Sequence, residues 1–168
     1  MSDEDVQHAN TDDYFDAVVV DDGIAIRMSD SVVEVVLDLT HRLLRLFEDG
    51  LVEGGDRFRR GRSAEAVLRD MFPDAYRDRA EARSFRERHA GTLRDTAAIR
   101  RVRDRVAAGP VHVISEEEID DWLRALGLGM FLVIRRNARK TNAVGWWISA
   151  IQSVLLHTID PRLRDVSH

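Results

Sequence analysis

Histidine is the side chain most often recruited for metal binding and proton transfer near neutral pH, and the chain has six, at positions 8, 41, 89, 112, 157 and 168. No two stand at the i, i+4 or H-x-E spacing that brings ligands onto one helix face. The run Glu116-Glu117-Glu118, with Asp120 and Asp121, sets carboxylates one turn apart, as a hard cation would need. It also falls at a helix N-terminus, where the macrodipole favours negative charge, and solvated capping is the preferred reading. No metal ligand, cofactor or catalytic residue is therefore assigned.

Nucleophilic catalysis of the α/β-hydrolase kind needs a serine in a G-x-S-x-G turn, and the chain has none. A phosphate-cradling loop ends in Gly-Lys-Ser/Thr. The stretch Gly54 to Gly61 has glycines and a following Ser63 but neither the lysine nor a preceding strand. Two basic clusters remain: Arg57, Arg59, Arg60 and Arg62 in one loop, and Arg135, Arg136, Arg139 and Lys140 in another. Brought together they would form an anion patch for phosphates or an acidic partner. Apart, they are solvated loops, which charge runs usually mark.

The last helical stretch offers a different chemistry. Val144, Trp147, Ile148, Ile151, Val154 and Leu155 form a core stripe, leaving Trp146, Ala150, Ser153 and His157 on the opposite side at helical spacing. Tryptophan is enriched at the centres of protein interfaces, so this is the expected partner face, for another protein or for self-association. The competing reading is that an arginine-rich helix covers Trp146 by stacking.

What positions these residues follows from composition and pattern. A chain of 168 residues suits one core without staples. The absence of cysteine removes disulfides and thiolate chemistry and fits a reducing cytoplasm. The opening MSDEDVQHAN lacks the basic and apolar regions of a secretory signal, and no apolar window is long enough to span a bilayer, so no membrane role is expected. Net charge is −5, with Lys140 the sole lysine among 25 basic residues. That balance argues against a dedicated nucleic-acid binder.

Residues 1–16 read as a disordered acidic tail, 17–163 as a single domain and 164–168 as a C-terminal tail. Ala17 to Val20 and Ile24 to Met28 flank Asp21-Asp22-Gly23 and predict a β-hairpin. Ser31 with Glu34 fits a capping box for a helix ending at Gly50, with Ser29 an alternative cap one turn earlier. Ser63 can cap a short helix through Met71, and Asp78 with Glu81 a long one reaching about Ala108 with a kink near Gly91. Val111 to Ile114 is expected to join the hairpin as a third strand. Ser115 with Glu118 opens a helix over Glu116 to Ile134 whose second half, with Leu128, Phe131 and Leu132 off its main stripe, is expected to be buried all round. Thr141 or Asn142 can cap the last helix, which runs to about Ile159. The fold class is thus α+β, mostly helical: a small antiparallel sheet on about five helices, with the Glu116 helix central.

Met71-Phe72-Pro73-Asp74-Ala75-Tyr76-Arg77-Asp78, the helix containing Phe85-Arg86, and Trp122-Leu123-Arg124-Ala125-Leu126 together resemble an uncharacterised actinobacterial domain-of-unknown-function family, numbered twenty-seventeen. The chain departs from that family at Gly127-Leu128-Gly129-Met130-Phe131, where an Asn-Asp-Leu-Arg stretch is expected. The resemblance brings no catalytic residues. It implies a small intracellular protein of unassigned activity, and a Clp protease association only through gene neighbourhood. The leading expectation is an intracellular protein–protein interaction or regulatory module. Phosphate-rich ligand or nucleic-acid binding through the two arginine loops is the alternative.

Overall fold

The computed structural model describes residues 13–52, 63–72, 80, 81, 83, 84, 88, 95–133 and 143–160. Strands β1 (Phe15–Val20) and β2 (Gly23–Met28) form the hairpin, with Val20 opposite Gly23 across the Asp21-Asp22 turn. The strand begins two residues before Ala17, because Phe15 turns inward and is buried. Strand β3 (Val111–Ile114) pairs antiparallel with β2, Ile24 opposite Ile114, so the sheet order is β1-β2-β3.

Ser29, rather than Ser31, caps helix α1 (Asp30–Asp49): its Oγ accepts the N–H of Val32. The same hydroxyl accepts the N–H of Tyr14 at 3.2 Å, tying the helix entrance to the start of β1, a link unavailable to Ser31 inside the first turn. Gly50 ends α1 in the left-handed conformation. Thr40 is a buried polar residue of this helix, and its hydroxyl is satisfied by donating to the carbonyls of Val36 and Leu37.

Helix α2 (Ala64–Met71) is capped by Ser63 as its sequence predicts. The long helix expected to reach Ala108 with a kink near Gly91 is divided outright: residues 80, 81, 83, 84 and 88 are helical, but the helix does not run unbroken to Ala108. Asp95 and Thr96 lie outside helix, and α3 runs only over Ala97–Ala107. The reason is local, since the Asp95 carboxylate accepts the N–H of Ala97 at 2.9 Å and so restarts the chain as a capping group would. The expected cap at Asp78 lies outside the described residues.

Helix α4 (Glu116–Val133) is central, packing against α1, α2, α3, β3 and the last helix, α5 (Ala143–Ile159). Trp122 anchors it, buried against Phe15 with ring centroids 6.2 Å apart. Its second half is not buried all round: Phe131 is 38% exposed and Leu128 and Leu132 are half-buried, so the extra apolar positions form a flank. Gly129 of α4 meets α1. A Cβ there would fall 2.5–2.7 Å from three side-chain carbons of Leu39, so this glycine permits the close α1–α4 approach.

Candidate functional site

The acidic run at the start of α4 is held by arginines of α3. Ser115 donates its N–H to Glu118 Oε2 at 3.0 Å and Glu118 donates its own to Ser115 Oγ at 3.3 Å, a reciprocal capping box. Arg105 binds Glu118, and Arg101 grips both oxygens of Asp121 at 2.6 and 2.8 Å. Among the described residues, no group of three or more potential ligands is placed to hold a metal ion. These carboxylates join α3 to α4.

Arg105, aided by the backbone N–H of Ser115, holds the Glu118 carboxyl below its ordinary pKa, against the opposing effect of partial burial. A pKa lowered by folding contributes stability above the unfolded value, and that stability is lost as pH falls through the folded one. Glu118→Gln should therefore lower stability by about 1 kcal/mol at neutral pH. The deficit should vanish in acid, where the native carboxyl is itself neutral. Thermal melts of both proteins at the two pH values check this; an equal deficit at each would mean that charge pairing contributes nothing.

The described histidines are dispersed. His41 is exposed on α1. His112 lies on the inner face of β3 opposite Ile26, its Nε2 buried without a hydrogen-bond partner. His157 Nδ1 stands 2.7 Å from the Ser153 carbonyl and 3.1 Å from Ser153 Oγ. A carbonyl only accepts, so Nδ1 carries the proton in that bond. His8, His89 and His168 lie outside the described residues, as do all eight members of the two basic clusters, Arg57 to Arg62 and Arg135 to Lys140.

The last helix does bring part of the expected partner face to the surface. Trp146 is 51% exposed and Ser153 is exposed, whereas Ala150 and His157 are half-buried. The Trp146 ring stands edge-on to Trp147, centroids 4.9 Å apart. Ile148, Ile151 and Leu155 point to the core and are fully buried. The open stripe is rotated from the expected one and adds Ser149, Leu156 and Ile159. A signal for this wider face was present in the sequence: Ala143 to Ile159 contains no Asp, Glu, Lys or Arg in a chain that is 33% charged. The solvated face of an ordinary surface helix carries such residues.

A second apolar surface went unnoticed in the sequence. The outer face of the sheet carries Val18, Val20, Ala25, Val111 and Val113, crossed by one ion pair, Arg27 to Asp16 at 2.8 Å. Val18, Ala25 and Val111 line an open depression of about 420 Å³ together with Phe15, Ala17 and Ile26 of the other face and Val154 of α5. Valine runs in a hairpin read as core because the residues alone do not say which face is covered.

No described helix is long and apolar enough to cross a membrane. A protein-family model described as a domain of unknown function (DUF2017) matches residues 15–133, from the first residue of β1 to the last of α4. No curated protein and no solved structure matches the chain.

Proposed function

Given that the chain belongs to the DUF2017 domain-of-unknown-function family, we propose that it is a protein–protein interaction or regulatory module that engages its partner through α5. The observation that carries this reading is a half-exposed Trp146 on a helix whose open stripe, Trp146, Ser149, Ser153, Leu156 and Ile159, bears no charge. Holding an indole and two aliphatic side chains against water is unfavourable by about 25 cal/mol per Å² of apolar surface, and a partner would recover it. Small serines between large anchors leave room for a facing side chain. Because α5 lies beyond the matched residues, the reading concerns this chain and is not extended to other family members.

Crosslinking and pull-down from the native host, with a Trp146→Asp variant alongside, test it. Trp146 makes little core contact, so the variant should keep wild-type stability within about 0.5 kcal/mol. Losing a tryptophan anchor should weaken partner binding by at least about 30-fold. A partner retained equally by the folded variant would remove α5 as the interface.

A further inference from the structure

The hydrogen-bond parity of the sheet leaves one edge open in a self-complementary way. Met28 donates its N–H to the Pro110 carbonyl at 3.0 Å. Antiparallel ladders alternate bonded and non-bonded pairs, so that bond makes Ile26 with His112, and Ile24 with Ile114, the bonded pairs between β2 and β3. Val111 and Val113 consequently turn their N–H and C=O groups away from β2, to the outer edge. Among the described residues no partner meets them there, and the two side chains are 64% and 49% exposed. The opposite edge of the sheet differs: β1 lies against α5, with Phe15 buried and Ala17 half-buried.

We propose that β3 is a self-pairing edge, through which two copies of the chain join antiparallel about His112 into a six-stranded sheet. In that register Val111 of one copy faces Val113 of the other, and both residues have free groups pointing across the junction. Two bonded pairs close at once and all four N–H groups and carbonyls on each side find the partner they lack. A shift of one residue would set those groups against His112, whose own are committed to β2.

Charge supports the same occupant. The strand Val-His-Val-Ile has no formal charge with neutral histidine, so two copies of a chain of net charge −5 can meet there without opposing like charges. On the outer face, Val113 would stand beside Val111 of the second copy and extend the row Val18, Ala25, Val113 across the junction. A four-residue edge spans only about 13 Å, far short of a standard interface, so the association is weak and concentration-dependent.

Amide hydrogen exchange on the whole chain reads the edge directly. Val111 and Val113 should exchange at least about tenfold more slowly in near-millimolar than in low-micromolar protein, while sedimentation velocity reports a monomer passing to a dimer. Val113→Pro removes an N–H used only at the junction, and proline is tolerated on an edge strand in that position. Val113→Lys keeps the backbone and charges the edge. Both variants should stay monomeric with a wild-type circular dichroism spectrum. If the proline variant does not fold, the lysine variant and the wild-type exchange decide the matter. A chain that is monomeric at every concentration, with both amides unprotected, overturns the proposal. So does a dimer that survives Val113→Lys and dissolves with Trp146→Asp, which would place self-association on α5. Loss of α5-dependent partner binding without loss of the dimer leaves the edge standing and separates the two interfaces.

Discussion

Gly23→Ala is expected to be the most damaging single-methyl substitution in the described part of the chain, with a loss on the order of 3 kcal/mol or more. Gly23 has φ +142°, a conformation that L side chains rarely adopt. A Cβ built there would stand 2.1 Å from the carbonyl oxygen of Ile114. That oxygen belongs to backbone and cannot swing aside as a side chain would. Ile114 is held in register against Ile24, so relief requires opening the end of the β2–β3 ladder. Gly109 supplies the control. Its φ is +146°, yet nothing lies within 4 Å of a Cβ added there, so Gly109→Ala should show backbone strain alone, about 1–2 kcal/mol. Thermal unfolding of the two variants separates strain from collision. Equal losses would mean that the ladder yields without cost.

Trp122→Ala should cost about 3–5 kcal/mol. Trp122 is fully buried and sits where α4 meets the sheet, its ring tilted 52° against Phe15. Removing it leaves a void between two layers that are fixed independently, the sheet by its ladder and α4 by the Arg101–Asp121 and Arg105–Glu118 pairs. Collapse into the space is therefore resisted, which puts the cost at the upper end of the range. Urea unfolding monitored by far-ultraviolet circular dichroism measures it. A loss below about 1 kcal/mol would show that the layers close over the gap. The contrast with Trp146→Asp, which should hardly alter stability, separates Trp122, which holds the fold, from Trp146, which faces outward.

What was legible in the sequence was local. The hairpin turn at Asp21-Asp22-Gly23, the caps at Ser63 and Ser115 and the stop at Gly50 each depend on residues within one turn of one another. Pairing of Val111–Ile114 with the hairpin was inferable only because so short a β-prone run cannot stand alone. Features set by distant contacts were not legible. Ser29 outcompetes Ser31 because its hydroxyl also receives Tyr14 from the neighbouring strand. One local feature was also missed: Gly91 marked a weak point in the long charged helix, but not the restart at Asp95, whose carboxylate receives the N–H of Ala97. Gly129 stands in a stretch the sequence singled out, but its role depends on Leu39 from another helix. On the proposed partner face, helical spacing anticipated the exposure of Trp146 and Ser153, while the rotation of the stripe toward Leu156 and Ile159 is decided by how α5 seats on α4 and β1.

The central strand also imposes an order in time. β2 bonds on one side to a strand completed just before it and on the other to residues reached only at Val111–Ile114. At synthesis rates of about 5–20 residues per second, the hairpin waits roughly 5–20 s on the ribosome for its third strand, and longer for α5. A lone two-stranded hairpin is marginal in water, so during that interval the inner residues Phe15, Ile24, Ile26 and Met28 are open to wrong partners. The hairpin is thus the part of the domain most exposed to aggregation during synthesis until β3 and α5 dock, and chaperone dependence should concentrate in that window.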